Sequence, residues 1–272
     1  MRIATWNVNS IRARIGAVRR WLVENSVDVC CLQETRCADG GFPFTELTDL
    51  GYEVAHHGID HWNGVAIISR VGLEGVERGF RGVTRAPFDE ARLIGATCDG
   101  VRVHSVYVPN GRELWDPHYA FKLVFLERLR SHLQPDLDAG VPTVLGGDLN
   151  VAPHDRDIYD PSRWRRRTHA SPPERAGITA LCDLGLHDIV RDLHPDEACF
   201  TWWSHRPQMY ATDRGLRIDL LLASGDLAEA TTQAWVDRAE RGRERSSDHA
   251  PVVVDIEGEL DATATSAVVP HR

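Results

Sequence analysis

The chain has 272 residues, with 31 lysines and arginines against 40 aspartates and glutamates, which gives a net charge of −9 at pH 7. Hydrophobic residues form 42% of the chain and charged residues 26%, which excludes a disordered or fibrous protein and indicates a globular one. No apolar stretch approaches the roughly 20 residues that a membrane-spanning helix needs. We expect one domain over residues 1–257 and a flexible tail over residues 258–272.

Apolar segments separated by turn signals predict the secondary structure. In chain order, strands are expected over residues 3–8, 27–32, 52–56, 65–69, 91–98, 101–108, 141–145, 199–203, 217–223, 234–236 and 251–256. Helices are expected over residues 11–23, 117–133 and 172–184. The pattern combines antiparallel hairpins with helix-linked strands, which disfavours a purely parallel sheet. It favours two mixed sheets packed face to face, with helices outside.

Polar side chains follow several of these predicted strands. Asn7 ends the first strand, Glu34 follows the second, and a later strand leads to Asp148 and Asn150. Each of these residues alone is explained by an ordinary turn or cap. If the strand ends meet at one edge, however, the carboxylates of Glu34, Asp148 and Asp248 repel each other unless a cation lies between them. This all-oxygen set, without cysteine, favours Mg²⁺ or Mn²⁺ over structural zinc.

A carboxylate inside an apolar segment needs a partner. Asp219 is flanked by Ile218 and by three leucines, so we expect its side chain to be at least half-buried. His249 is the best candidate partner. The pair is either an ordinary ion pair or a dyad in which the carboxylate fixes the imidazole tautomer and raises the pKa of the histidine. With a hard divalent ion, such a dyad suits the hydrolysis of a phosphate ester.

The basic residues are unevenly distributed. The net negative charge argues mildly against a nucleic-acid partner, but local clusters matter more than the sum. One cluster of arginines lies within residues 2–20, and a second consists of Arg163, Arg165, Arg166 and Arg167. Each cluster is either a solvated face or a contact for phosphate groups. Lys122 is the only lysine in the chain, which indicates a GC-rich genome or a preference for arginine at phosphate contacts.

Six sequence blocks occur in the order found in a known family. They are Ile-Ala-Thr-Trp-Asn-Val-Asn-Ser at 3–10, Leu-Gln-Glu-Thr at 32–35, Tyr-Val-Pro-Asn-Gly at 107–111, Gly-Asp-Leu-Asn-Val-Ala at 147–152, Arg-Ile-Asp-Leu at 217–220 and Ser-Asp-His-Ala-Pro at 247–251. The blocks resemble the exonuclease III family of abasic-site endonucleases, within the endonuclease/exonuclease/phosphatase superfamily. The resemblance covers nearly the whole chain. It implies a four-layered α/β-sandwich, with two packed mixed β-sheets flanked by helices.

The resemblance also implies a reaction. It is the Mg²⁺-dependent hydrolysis of the phosphodiester 5′ to an abasic site in double-stranded DNA, with Mn²⁺ as a substitute for Mg²⁺. Family members often also degrade DNA from the 3′ end and remove 3′-blocking groups, including 3′-phosphates. The implied partner is double-stranded DNA with abasic sites or blocked 3′ ends. We expect a monomer that does not bind membranes.

Carried over residue by residue, the resemblance implies a metal site. Glu34 binds the metal, with Asn7 and Asp248 near it, and Asp148 and Asn150 complete the implied ligands. Asp148 also orients or deprotonates the attacking water, and Asn150 stabilises the transition state. The number of metal ions stays open at this point.

The remaining implied roles concern the phosphate. Tyr107 contacts the scissile phosphate or the leaving group, and Asn110 is a further phosphate contact. Asp219 orients His249, which binds a phosphate oxygen. Whether Asp148 or His249 is the general base is left open by the sequence.

Substrate recognition is implied to involve an apolar slot and the second arginine cluster. Trp202, Leu216 and Ile218 would form the slot for an abasic sugar, or they are plain core residues. Leu216 stands where many family members carry tryptophan, which leaves the balance between endonuclease and exonuclease activity open. Arg163, Arg165, Arg166 and Arg167 fall in the loop where family members grip DNA.

Two other functions compete with this interpretation. A relative that acts on another phosphoester, such as a nonspecific deoxyribonuclease, a phosphoinositide phosphatase or a sphingomyelinase, would share the metal and the dyad. The first residues contain no apolar signal segment and the cysteines form no Cys-x-x-Cys pair, so we expect a cytoplasmic protein rather than a secreted one. A catalytically silent DNA-binding relative would be free to lose the metal ligands, all of which are present here.

Overall fold

The computed structural model describes residues 1–82, 89–206 and 208–257, so the tail expected over residues 258–272 lies outside the described part. Two six-stranded mixed sheets pack face to face. In spatial order, the first sheet consists of β11 (Thr231–Val236), β12 (Val252–Ile256), β1 (Arg2–Asn7), β2 (Val29–Gln33), β4 (Val65–Ser69) and β3 (Glu53–His57). The second consists of β5 (Glu74–Arg78), β6 (Leu93–Cys98), β7 (Val101–Tyr107), β8 (Thr143–Asp148), β10 (Asp219–Ser224) and β9 (Leu186–Asp188).

Helices cover the outer faces of both sheets, which gives the four layers that the resemblance implies. The first sheet carries α1 (Ile11–Glu24) and α2 (Phe44–Thr48), and the second carries α3 (Pro117–Asp138) and α5 (Pro172–Cys182). The short helices are α4 (Pro161–Trp164), α6 (Ile189–Leu193), α7 (Gly225–Glu229) and α8 (Arg238–Arg241). None of the helices in the described ranges is long and apolar enough to cross a membrane.

Alternation along the strands explains how each sheet buries both faces. In β1, Ile3 faces the second sheet, whereas Ala4 and Trp6 face α1. The same alternation holds in β2, where Cys31 joins the core between the sheets and Cys30 packs towards α1. Because both faces of the central strands are buried, a shift of one residue in register would bury the wrong side chains.

Most predicted elements are present, but the strand expected over residues 199–203 is wrong. Trp202 makes only isolated bridges, to Leu216 and His249, and the N–H groups of Thr201 and Trp202 both donate to the carbonyl of Leu216. The aromatic and β-branched residues of this segment therefore pack against their neighbours but do not form a continuous ladder of strand hydrogen bonds. The sequence analysis also missed β5 and β9, which lie at the two edges of the second sheet.

The topology brings several strand ends to one edge of the molecule. β1 pairs with β2 in parallel, and β7 pairs with β8 in parallel, so all four strands end on the same side. β10 runs antiparallel to β8 and begins at Asp219, directly opposite Asp148. The polar residues that follow the strands are thereby collected at this edge, where the two sheets meet.

Candidate active site

The buried side-chain amide of Asn7 links the two sheets at this edge. The Nδ2 atom of Asn7 donates to Glu34 Oε1 at 2.8 Å and to Asp148 Oδ2 at 2.9 Å. The N–H of Asn9 donates to Asn7 Oδ1 at 3.0 Å, which fixes the orientation of the amide. In this orientation Asn7 presents donor hydrogens to the site and not a ligand oxygen. The amide thereby holds the two carboxylates together, and the metal ligation by Asn7 that the resemblance implies stays a prediction.

The loops that carry Glu34 and Asn150 have unusual backbones. Both residues adopt positive φ angles, 49° at Glu34 and 53° at Asn150, directly after or near the end of a strand. Such conformations are costly for residues other than glycine and are common at active sites. The side chain of Arg36 also donates to Glu34 Oε2, so the carboxylate is held from two sides.

Asp148 is a buried carboxylate in a negatively charged environment. Burial raises its pKa to about 8, and the charges of Asp219 and Glu34 add to this effect, whereas His249 and the Asn7 amide oppose it. Ligand atoms of Glu34, Asp148 and His249 all lie within 4.8 Å of one another. Oxygen ligands and unbalanced negative charge are what a hard divalent cation requires, so these residues fit a metal ion.

The imidazole of His249 lies between two aspartates. Its Nδ1 atom is 2.9 Å from Asp219 Oδ2, and its Nε2 atom is 3.8 Å from Asp148 Oδ2. The hydroxyl of Thr201 donates to Asp219 Oδ2 at 2.6 Å and accepts the backbone N–H of Asp219. Burial lowers the pKa of His249, but the charges of Asp219 and Asp148 outweigh it and raise the pKa to about 10. The imidazole is therefore protonated at neutral pH.

Asp248 precedes His249 in the chain, and its carboxylate is hydrogen-bonded to two other side chains. Asn9 Nδ2 donates to Asp248 Oδ1 at 2.9 Å, and the indole of Trp202 donates to Asp248 Oδ2 at 3.0 Å. Burial opposes ionisation, but the His249 charge and these hydrogen bonds lower the pKa of Asp248 to about 2. Asp248 is thus an ionised neighbour of the cluster, and its oxygens hold Asn9 and Trp202.

Tyr107, Asn110 and Asn150 lie on the other side of Asp148. Burial, and then the charges of Glu34 and Asp148, raise the pKa of Tyr107 well above its usual range, so the phenol stays protonated. The Asn150 amide donates to the Val108 carbonyl at 2.9 Å and accepts from Asn110 Nδ2 at 3.2 Å. The oxygen of the Asn150 side chain is therefore occupied by Asn110.

The residues expected to recognise substrate fall into a buried and an exposed set. Leu216 is fully buried, and it packs with Trp202, Ile158 and Ile218 in one apolar cluster. Leu216 therefore supports the partly exposed Trp202 and offers no accessible surface of its own. The arginines of the second cluster are exposed, and Arg163 pairs with Asp160 at 3.0 Å. They are Arg163, Arg165, Arg166 and Arg167.

An open groove of about 490 Å³ extends from the site. Its lining includes Tyr107 and Asn110, together with Trp62, Arg112 and His118. The groove reaches the site at Tyr107 and Asn110, whereas Glu34, Asp148 and His249 do not line it.

Several residues of the site were not found from the sequence. Thr201 holds Asp219, Asn9 holds Asp248, and His169 Nδ1 lies 2.5 Å from the Asn150 carbonyl. The buried pair of Lys122 and Glu174 lies behind the same loop. The solitary lysine was the one available signal, since the other contacts join residues far apart in the chain.

The fold and the site together define a hydrolase of phosphoesters. Two packed mixed sheets present a carboxylate pair, a protonated Asp–His pair and an asparagine at one open edge. This arrangement can bind a divalent cation, stabilise negative charge on a phosphoryl group and take up a proton from water.

Comparison with known proteins agrees with this class. Residues 4–249 match the model of the Endonuclease/Exonuclease/phosphatase family. Exodeoxyribonuclease III of Haemophilus influenzae is 33% identical over 264 residues, which cover 93% of this chain and 98% of that protein. The chain belongs to the endonuclease/exonuclease/phosphatase family and, within it, to the exonuclease III group of DNA-repair nucleases.

Solved structures give the same assignment. A 3′–5′ exonuclease from Neisseria meningitidis superimposes with a TM-score of 0.92 at 38% identity, covering 95% of this chain and 100% of that chain. A second structure of the same Neisseria protein, there described as a 3′ phosphatase and bound to a product DNA hairpin, gives the same values. An AP endonuclease from Archaeoglobus fulgidus superimposes with a TM-score of 0.91 at 36% identity, with 95% and 100% coverage.

Proposed function

We propose that this nuclease hydrolyses the phosphodiester 5′ to abasic sites in double-stranded DNA, degrades DNA from the 3′ end and removes 3′-phosphates. The reaction uses Mg²⁺, with Mn²⁺ as a substitute. The observation that carries the proposal is the Asn7 amide, which holds Glu34 and Asp148 together beside the Asp219–His249 pair. The protein acts as a monomer in the cytoplasm, where its DNA substrate lies.

Glu34 and Asp148 are the residues that would hold the metal ion, with Asn7 keeping their carboxylates in place. A Mg²⁺ ion held by these residues would neutralise charge on the phosphate oxygens. Asp248 adds negative charge beside the cluster. It contributes through Asn9 and Trp202, to which it is hydrogen-bonded.

The charge states of Asp148 and His249 favour Asp148 as the general base. His249 is protonated at neutral pH, with a pKa of about 10, so its imidazole has no free electron pair for a proton from water. Asp148 has the lower pKa of the two, about 8, and a divalent cation held by Glu34 and Asp148 would lower it further, so that the ionised carboxylate could take up a proton near neutral pH. His249, oriented by Asp219, then donates to a phosphate oxygen of the transition state.

Two neutral groups complete the proposed mechanism. Asn150 Nδ2 points towards the Val108 carbonyl beside Asp148, and its second hydrogen is available to an equatorial phosphate oxygen. Tyr107 remains protonated and donates to the scissile phosphate or to the leaving oxygen. Asn110 lies next to Asn150 and contacts the same phosphate group or its neighbour.

DNA binding is assigned to the exposed arginines and to the apolar slot. The arginines of the second cluster, residues 163–167, follow the loop that carries Asn150, so a bound phosphate backbone passes close to the reaction centre. Trp202, whose indole is fixed by Asp248, forms the exposed wall of the slot beside the scissile bond. Leu216 and Ile218 support this wall from the interior.

A second candidate function is 3′-end processing without cleavage at internal abasic sites. The full burial of Leu216 against Trp202 and Ile158 favours it, because a flipped-out sugar would need that cluster to open. A 3′ terminus needs less space, since nothing continues beyond it. The similar structures from Neisseria, named a 3′–5′ exonuclease and a 3′ phosphatase, support this candidate as well.

The test uses two labelled duplexes, one with a single internal abasic site and one with a 3′-phosphate at a nick. Each is incubated with the protein in Mg²⁺ and in EDTA, beside Asp148→Asn and the control Asp183→Asn, an exposed aspartate. Cleavage 5′ to the abasic site that is lost in EDTA and in Asp148→Asn supports the first proposal. Phosphate release without internal cleavage supports the second candidate. Activity only on plasmid or inositol phosphates would overturn both.

A further inference from the structure

The only lysine of the chain is fully buried behind the active site. Lys122 lies on α3, and its ammonium group has four oxygen partners within hydrogen-bonding distance. It donates to the Asn150 carbonyl at 2.6 Å and to the Asn110 carbonyl at 3.3 Å. It also donates to Glu174 Oε1 at 2.5 Å and to Thr168 Oγ1 at 3.3 Å.

Glu174, the charged partner of Lys122, organises the loop before α5. Its carboxylate accepts the hydroxyl of Thr168 at 2.7 Å, the N–H of His169 at 2.9 Å and the N–H of Ser171 at 3.0 Å. Three separate loops therefore converge on one ion pair. They are the loop after β7 with Asn110, the loop after β8 with Asn150, and the loop before α5 that follows the second arginine cluster.

The ion pair is an expensive way to hold loops in place if stability is its only purpose. Removing two charges from water costs more than packing an apolar pair of the same volume. Burial lowers the pKa of Lys122 despite the opposing charge of Glu174, which reflects this cost. The ammonium group nevertheless donates to the backbone carbonyls of Asn110 and Asn150, the two residues to which the proposed function assigns phosphate contacts.

The position of Asn150 depends on the hydrogen bond from the Lys122 ammonium group to its backbone carbonyl. Its backbone has a φ of 53°, in the left-handed region, which asparagine adopts more readily than most residues other than glycine. Its carbonyl accepts from Lys122 at 2.6 Å and lies 2.5 Å from His169 Nδ1. Because the carbonyl is fixed, the side-chain amide is held between Val108 and Asn110, in the position from which the proposed mechanism has it bind a phosphate oxygen.

We propose that Lys122 is a positioning residue for phosphoester hydrolysis, which acts by fixing Asn150 through its backbone carbonyl. The inference rests on the proposed function, since it uses the role assigned to the Asn150 amide. The hydrogen bond from Lys122 to Asn150 is shorter than the one to Asn110. Because the proposed function has Asn150 stabilise the transition state, we expect the loss of Lys122 to lower turnover more than substrate binding. Glu174 serves to keep the buried ammonium group charged and in place.

The test compares kcat and KM of Lys122→Met with the wild type on the 3′-phosphate and abasic duplexes. Misplacement of a catalytic group by about 1 Å costs up to about 100-fold in rate, so we expect kcat to fall at least about tenfold. KM should change less than about threefold. Because Lys122→Met leaves Glu174 without a cation, Lys122→Met/Glu174→Gln removes both charges and keeps the volume similar. It should lose kcat in the same way.

A double-mutant cycle separates positioning from general destabilisation. If Lys122 acts through Asn150, Lys122→Met should have little further effect on single-turnover rates in an Asn150→Ala background. Leu22→Ala, a core substitution on α1 beneath the first sheet, is the stability control. It should lower the melting temperature while leaving kcat unchanged at a temperature where every variant is folded.

The side-chain amide of Asn150 gives a readout that needs no activity. In ¹⁵N-labelled protein, its NMR signals should shift, and its hydrogens should exchange faster, in Lys122→Met/Glu174→Gln but not in Leu22→Ala. Unchanged signals with unchanged kcat, or losses that simply add in the Asn150→Ala background, would overturn the inference. A wild type inactive on both duplexes would refute the proposed function alone, because the NMR comparison still decides the role of Lys122.

Discussion

Asp148 and Asp219 are direct partners in the antiparallel pairing of β8 and β10, and the imidazole of His249 lies between their carboxylates. Two buried aspartates at such a position repel each other, and one buried cation does not neutralise both. The result is a charge arrangement in which His249 holds a proton strongly and Asp148 ionises with difficulty. Near neutral pH the ion pair of Asp219 and His249 is balanced while Asp148 keeps its proton, and the ionised form of Asp148 is the one that needs a further cation.

Replacement of Asp219 by asparagine should lower the pKa of His249. The charge of Asp219 is the largest favourable influence on a pKa of about 10, so in Asp219→Asn burial dominates and the pKa should fall towards or below its ordinary value. Turnover that needs the imidazolium should drop by about 100-fold or more near neutral pH. NMR titration of the imidazole in metal-free protein measures the pKa, and a normal pKa with normal turnover would refute the dyad.

Metal-free protein should lose stability as the pH rises, because of Asp148. The pKa of Asp148 is about 8 when folded and about 4 when unfolded. Between these values the unfolded chain binds fewer protons, so the free energy of unfolding decreases with increasing pH. Asp148→Asn should therefore be more stable than the wild type in EDTA at pH 8, by at least about 1 kcal/mol.

The same variant tests the metal site by thermal melting. Mg²⁺ should raise the melting temperature of the wild type, since a ligand of the folded state stabilises it by mass action. It should raise that of Asp148→Asn less, because one carboxylate ligand is lost. Equal shifts in both proteins, or a wild type that is more stable than the variant in EDTA, would speak against the assigned role of Asp148.

The sequence was sufficient to predict which polar side chains meet at one edge of the sheets. Asn7, Glu34 and Asp148 follow apolar strands, and parallel strands end at one edge, so short-range patterns indicated their convergence. The pairing of Asp219 with His249 was predicted for a similar reason, because a carboxylate in an apolar run needs a partner. These expectations rest on local patterns and on the cost of buried charge.

The features of the site that the sequence did not predict depend on contacts between segments far apart in the chain. Asn9 meets Asp248 across 239 positions of the chain, and no local pattern marks either residue as the other's partner. The hydrogen bond from the N–H of Asn9 to Asn7 Oδ1, which directs the amide nitrogen towards the carboxylates, was likewise not predicted, and the metal ligation by Asn7 stays a prediction. The segment around Trp202 read as a strand because propensity does not report which carbonyl its N–H groups will meet.

Two buried histidines should make the protein sensitive to acid. His104 is fully buried, and within the described part of the chain neither ring nitrogen has a hydrogen-bond partner. Burial, with the charges of Arg102 and Arg81, lowers its pKa well below the ordinary value, and burial lowers the pKa of the adjacent His132 to about 4. Both are neutral when folded, so the unfolded state binds more protons below about pH 6.5.

Stability should therefore fall as the pH decreases from 6.5, by up to about 1.4 kcal/mol per pH unit for each histidine. His104→Phe removes one of these groups and keeps the ring volume similar. Urea unfolding at pH 7 and pH 5 measures the difference. The loss of stability between the two pH values should be smaller in His104→Phe than in the wild type, and an equal loss would show that His104 does not titrate in this range.

The second arginine cluster should control DNA affinity and its dependence on salt. Arg163, Arg165, Arg166 and Arg167 are exposed, so replacing all four by alanine should leave the fold and the buried carboxylates unchanged. Each lost phosphate contact should reduce the slope of log K against log[salt] by about 0.9, and KM should rise while kcat at saturating DNA stays similar.

Arg130→Ala provides the matched control, because Arg130 lies on α3 and pairs with Glu127 on the outer face of the second sheet. Fluorescence anisotropy with a nicked duplex, in EDTA and at several salt concentrations, measures the slope of log K against log[salt] for the quadruple variant and for Arg130→Ala. If the cluster binds the phosphate backbone of DNA, the quadruple variant should have a smaller salt slope and a lower DNA affinity than Arg130→Ala. Equal slopes would mean that the four arginines form a solvated face, and that the phosphate backbone follows another path to Asp148.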